Sequence, residues 1–178
     1  MRATQLDHHT PVLAYAWEPS QQLKVRRERL DEMGLKHGRW LQTLKAAVLD
    51  ARLDDIIAVP GSGEFSAGQL AARILLVEAG KKLAYATDLA DSADNRARLT
   101  TLARGAHCLF CEAPFMLADA EQARRTGHLT TRACAEIAEA AGVGKLLPFH
   151  FSRRYYNKLS EVYCEIGQFT QRLVLPSP

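Results

Sequence analysis

From residue 82 onward the apolar positions alternate between two rhythms. Short, nearly continuous apolar runs cover 82–87, 107–112 and 145–149 and predict buried strands. Between them lie segments with helical spacing. One near 93–104 carries Asn95, Leu99 and Leu102, a short one spans Asp119–Arg125, and an Ala- and Glu-rich one runs from Thr130 to Ala141, stopped by Gly142. A last amphipathic stretch runs from Asn157 to about Phe169.

The first half is less regular. Residues 11–17 (Pro-Val-Leu-Ala-Tyr-Ala-Trp) carry a strand-like mixture. Residues 21–33 are polar and basic and read as helix up to Gly34. A second helix is predicted from Arg39 to about Asp50, where Trp40, Leu41, Leu44 and Val48 recur at steps of three and four. Pro60-Gly61-Ser62-Gly63 marks a loop. Gln69–Val77 reads as a helix running into a strand, which periodicity alone does not decide. The alternation predicts an α/β layered fold, strands packed under helices, with no internal repeat or low-complexity segment.

Composition narrows this only a little. The 178 residues suit one domain or a large piece of one, and 47% hydrophobic with 24% charged is ordinary for a globular protein. A formal charge of +3 points to no partner, so any nucleic-acid contact has to come from a local patch such as Lys24–Arg29. No apolar run approaches the roughly 20 residues of a membrane span. The first residues hold no apolar signal-peptide core, and a cytoplasmic location is the expectation. Cys108 and Cys111 sit three apart on a predicted strand and face opposite sides, which argues against a shared metal site. With Cys134 and Cys164 they are expected as thiols in or near the core.

Three residues put acid and imidazole groups where strands end or helices begin. Asp88 closes Lys-Leu-Ala-Tyr-Ala-Thr-Asp, His128 opens Gly-His-Leu-Thr-Thr, and His150 closes Lys-Leu-Leu-Pro-Phe-His. Taken singly, each has an ordinary reading. Asp88 suits a helix cap or loop acid, His128 a first-turn residue, and His150 a hydrogen-bonded core histidine. Together, side chains at the tips of buried strands converge on one cleft able to hold a metal.

The set Leu6-Asp-His8, Leu83-Ala-Tyr-Ala-Thr-Asp88, Leu109-Phe-Cys-Glu-Ala-Pro-Phe115, Gly127-His-Leu-Thr-Thr131 and Pro148-Phe-His-Phe-Ser-Arg-Arg-Tyr155 resembles the ribonuclease Z branch of the metallo-β-lactamase superfamily. The motifs stand in that family's order and cover about 6–155. The resemblance implies the C-terminal half of an αβ/βα sandwich, a mixed sheet flanked by helices. Residues 18–63 would be a reduced version of the substrate-gripping arm.

The resemblance also implies a two-zinc centre. Asp88 matches the carboxylate bridging both metals, His8 completes the first site, and His150 is the last ligand of the second. His128 and Glu112 match the pair beside the scissile phosphate that protonates the leaving 3′-oxygen, and Ser152 and Arg154 match substrate contacts. Adjacent strand positions face opposite ways, so of His8 and His9 only one is expected as ligand; the Leu-Asp-His match selects His8. His37 and His107 fit no motif.

The superfamily's His-x-His-x-Asp-His is absent from the chain. Without it each zinc keeps two ligands, short of the three or four a stable site requires. Cys111 stands where the family commonly has His, Pro114 where Thr is common, and Gly38-Arg39 replaces a Gly-Pro of the arm. The expected activity is that of a zinc-dependent phosphodiesterase or endoribonuclease acting on RNA such as pre-tRNA, inactive as this chain alone. A complementing N-terminal half or a second copy is the expected partner. The alternatives are a non-catalytic fragment and a metallo-hydrolase of another phosphodiester or an ester.

Overall fold

The computed structural model describes residues 1–19 and 21–175. In chain order its strands and helices begin with β1 (Arg2–Asp7), β2 (Pro11–Trp17), β3 (Gln22–Val25), α1 (Arg27–Glu32) and α2 (Trp40–Leu49). They continue with β4 (Ile56–Val59), β5 (Gly63–Ser66), α3 (Ala67–Ile74), β6 (Leu75–Glu78) and β7 (Leu83–Ala86). The last are α4 (Ala93–Ala103), β8 (Cys108–Glu112), α5 (Ala120–Thr126), α6 (Thr131–Ala141), β9 (Leu146–Phe149) and α7 (Leu159–Phe169). They divide into two compact units, 1–19 with 81–178, and 20–80.

The first unit is built on a five-stranded mixed sheet in the order β1-β2-β7-β8-β9. β1, β2 and β7 pair antiparallel, while β7, β8 and β9 run parallel. Parallel neighbours need a crossover, and α4 supplies it between β7 and β8, α5 and α6 between β8 and β9. Strand alternation sorts the side chains. Ala14, Ala16, Ala84 and Ala86 face inward and are essentially inaccessible, packed in one core with Leu99, Leu102 and Ala103 of α4. Leu13, Tyr15, Trp17 and Tyr85, the alternate positions, remain exposed. Each fully buried leucine, such as Leu99, Leu109 or Leu146, contributes roughly 1.5–3 kcal/mol.

Caps fix the helices that feed the strand ends. Ser92 Oγ accepts the Asn95 N–H ahead of α4, and Thr130 Oγ1 accepts the Ala133 N–H ahead of α6. Asn95 is itself buried. Its amide donates to the carbonyls of Asp7 and Ala90 at 2.8 Å each and accepts the Asp7 N–H at 2.9 Å. That ties the end of β1 to the loop after β7.

The second unit pairs β3 with β6 and β4 with β5, with α1, α2 and α3 in the same unit. Leu30, Trp40, Leu44, Ile57, Leu70 and Ile74 form its core. Two sequence expectations change here. The helix read over 21–33 begins only at Arg27, because Gln22–Val25 pairs antiparallel with Leu75–Glu78. The same ladder decides Gln69–Val77: the helix ends at Ile74 and Leu75 turns extended to join it. The compact unit also runs to residue 80, beyond the 18–63 marked in the sequence, since α3 and β6 belong to it.

Candidate metal centre

Three parallel strands end side by side, and each delivers one polar side chain at its C-terminal edge. Asp88 follows β7, Glu112 is the last residue of β8, and His150 follows β9 directly. Such an edge is where open parallel sheets bind ligands. Asp88 and His150 both turn off their strands through left-handed backbone, with φ of 54° and 61°. A non-glycine residue there costs roughly 1–2 kcal/mol, a cost that persists only where the surroundings over-determine the conformation.

Glu112 supplies that determination. It is fully buried, and its Oε2 accepts the Asp88 main-chain N–H at 2.6 Å while Oε1 accepts that of Leu129 at 3.0 Å. His128 Nδ1 lies 3.0 and 3.1 Å from its two oxygens, and His150 Nδ1 lies 3.3 Å from Oε2. An ionised carboxylate only accepts, so His128 Nδ1 carries the proton and its Nε2 is turned away from Glu112. His150 Nδ1 also lies 3.2 Å from Thr87 Oγ1 and 3.6 Å from Asp88 Oδ1.

Among the described residues, donor atoms of Asp88, Glu112, His128 and His150 all lie within 4.8 Å of one another. Asp88 and His150 are part-exposed and reach solvent, whereas both Glu112 oxygens are already occupied by donors. Oxygen and imidazole donors gathered in this way could hold a metal ion, with the buried Glu112 carboxylate orienting the His128 ring.

The loop between β1 and β2 brings a third imidazole to this cluster. His8 Nδ1 lies 2.6 Å from the Gly127 carbonyl, and its ring centre is 4.5 Å from that of His128. His9 does not point away as strand alternation would require. Both histidines lie beyond the end of β1, in a turn where His9 has φ of 58°, and their ring centres are 6.0 Å apart. Alternation therefore gives no ground for separating them.

Ser152 and Arg154 lie outside the cluster. Ser152 opens a 3-10 turn (Arg153–Tyr155), its N–H bonded to the Pro114 carbonyl. The Arg154 guanidinium is engaged by Asp119 at 2.8 Å and lies over the Phe115 ring. Tyr155 donates its hydroxyl to Asp119, and its own pKa is raised by burial and by that bond. This group braces the loop after β8. Asn95, which sequence reasoning placed in a helix without a role, anchors the His8 turn. Its low-polarity neighbours Leu99 and Leu102 were the only available signal.

A cavity of about 380 Å³ opens beside His128, lined by Asp91, Arg96, Arg124, Arg132 and Glu136 among others. Arg96 bonds Asp91 and Glu136, and both it and Arg132 hold the Glu136 carboxyl below its ordinary range. Three of the four thiols are buried. Cys111 and Cys134 are buried together, and their mutual hydrogen bonding and burial push the Cys111 thiol well up. Cys164 departs from the core expectation and is exposed, on the outer side of α7.

The fold agrees with comparison to known proteins. The chain belongs to the β-lactamase superfamily, whose domain model matches residues 7–151. It is 36% identical over 154 residues to ribonuclease Z of Deinococcus radiodurans, a match covering 86% of this chain and 44% of that one. Against ribonuclease Z of Natronomonas pharaonis it is 30% identical over 156 residues, covering 87% and 46%. The chain thus spans less than half the length of these curated relatives. The crystal structure of human tRNase Z, short form, is similar at 27% identity and a TM-score of 0.38, over 46% of this chain and 32% of that one. The expected α/β class, a mixed sheet with flanking helices, is the one observed. No helix among the described residues is long and apolar enough to cross a membrane.

Proposed function

We propose that this chain forms one wall of a zinc-dependent phosphodiesterase site of the ribonuclease Z type, acting on RNA such as pre-tRNA. One observation carries the reading: Glu112, buried behind the strand ends, accepts from Asp88 and His128 while Asp88 and His150 face solvent.

In this reading Asp88, His150 and His8 hold the ions. Zinc, when bound, supplies Lewis acidity and a water of lowered pKa. Glu112 orients the His128 ring through Nδ1 and balances its charge when Nε2 is protonated. His128 then delivers the Nε2 proton to the departing 3′-oxygen. Arg154 enters as a brace for the neighbouring loop, because Asp119 already occupies its guanidinium.

The remaining ligands come from a complementing half of the sandwich. The short span against the relatives supports this, as does the exposed apolar sheet face of Leu13, Tyr15, Trp17 and Tyr85. The test pairs zinc stoichiometry with cleavage. The chain alone is expected to bind zinc substoichiometrically and to leave pre-tRNA intact, and the complemented or full-length protein to cut it. Two tightly held zincs on the isolated chain, or cleavage by it, would overturn the half-site reading. Turnover of a simple phosphodiester without RNA cleavage by the complemented protein would overturn the substrate.

A further inference from the structure

We infer that Gly127 is a positioning residue for the metal centre: its carbonyl sets the tautomer of His8, and its lack of a side chain admits His8 to the cluster. The inference rests on the reading of His8 as a ligand and adds what makes it one.

Gly127 ends α5 in left-handed backbone, φ 72°, with its N–H bonded back into the helix. Its carbonyl is 2.6 Å from His8 Nδ1. A carbonyl can only accept, so Nδ1 carries the hydrogen, and a neutral His8 presents Nε2 as a bare lone pair. His128 is set the same way by Glu112. Ligating histidines are generally oriented by such a bond from the second ring nitrogen. Here the acceptor belongs to the residue next to His128, so one short segment orients the His8 ring and carries the His128 ring, whose centres are 4.5 Å apart.

The space around Gly127 is as specific as the bond. A Cβ at this position would lie 3.0 Å from His8 Nδ1 and 3.0 Å from His9 Cδ2 and Nε2. The two rings lie against the glycine, and a Cβ there requires them to give by a few tenths of an ångström. Gly142 provides a matched comparison. It ends α6 in the same left-handed conformation, φ 62°, yet a Cβ there meets nothing within 4 Å. Gly142→Ala imposes the backbone strain alone; Gly127→Ala imposes the strain and crowding against His8 and His9.

The experiment compares wild type, Gly127→Ala, Gly142→Ala and His8→Ala as full chains. Long-range nitrogen–proton NMR on the metal-free proteins at pH 8 reports which ring nitrogen of His8 is protonated. Competition titration with zinc reports affinity. The expected results are Nδ1-protonated His8 in wild type and Gly142→Ala, and loss of that tautomer in Gly127→Ala. Zinc affinity is expected to fall roughly 10–100-fold in Gly127→Ala and to hold in Gly142→Ala. Nε2-protonated His8 in wild type, an unchanged tautomer in Gly127→Ala, or equal zinc losses in the two glycine variants would overturn the inference. If His8→Ala binds zinc like wild type while the tautomer behaves as expected, the ligand assignment fails and the positioning by Gly127 stands.

Discussion

Glu112 accepts the main-chain N–H of Asp88 at 2.6 Å, so a side chain at the end of one strand fixes the backbone at the end of the next. The same carboxylate takes the Leu129 N–H and orients His128. Glu112→Gln keeps the shape but places amide hydrogens against existing donors. The expected cost is about 2–3 kcal/mol, as for charged hydrogen bonds lost inside a protein. Urea denaturation of the two proteins measures it, and a loss under 0.5 kcal/mol, the level of an ordinary surface change, would show that the hub is dispensable.

Metal binding and proton delivery should separate by residue. In the complemented protein, Asp88→Ala and His150→Ala are expected to abolish stoichiometric zinc. His128→Ala should retain it and slow phosphodiester cleavage by the complemented enzyme about 10²–10⁴-fold. Zinc analysis beside single-turnover kinetics decides this. Loss of zinc in His128→Ala would reassign that histidine as a ligand.

The four thiols differ in access. Cys164 is exposed, whereas Cys108, Cys111 and Cys134 are buried, with the Cys111 thiol pushed up by hydrogen bonding with Cys134 and by burial. A thiol reagent should therefore label one cysteine quickly in the folded chain and the others only on unfolding. Mass spectrometry of labelled peptides locates them, and fast native labelling of Cys111 would contradict the packing.

Exposed Trp17 and Tyr15 lie on the sheet face opposite the α4 core. Trp17→Lys is expected to reduce self-association with little effect on stability, as seen by sedimentation velocity. A wild-type chain that stays monomeric at high concentration would remove this face as an association surface.

Glu136 is held below its ordinary value of 4.5 by hydrogen bonds from Arg96 and then Arg132. A depressed folded-state pKa stabilises fully above the unfolded value, and the contribution disappears as pH falls through the folded one. Acid titration should show stability declining below about pH 4.5, and Glu136→Gln should weaken that decline. The group is largely solvent-facing, so the effect is small.

Much of this was legible from the sequence, for identifiable reasons. Thr130 and Gly142 bracket α6 as its cap and its left-handed stop, both local signals. Asp88, Glu112 and His150 were legible because parallel strands deliver their last residues to one edge. β1 was not, since Leu6 is its one buried residue and the strand reads as polar. β3 looked helical because its pairing partner lies some fifty residues away. The left-handed turns at Asp88 and His150 leave no trace in residue type. Alternation does not separate His8 from His9, because both lie beyond the end of β1. The Gly127 carbonyl is invisible in any sequence, being common to every residue.

Ala14, Ala16, Ala84 and Ala86 leave the helix-facing side of β2 and β7 without bulk. A valine at any of them would force α4 off the sheet, at roughly 1–3 kcal/mol. Since α4 carries Asn95, the displacement would travel to the His8 turn. Four residues with no chemistry of their own thereby set the tolerance of the whole strand edge that carries Asp88 and His150. Drift at these methyl groups would shift the strand-end cluster before any of its own residues changed.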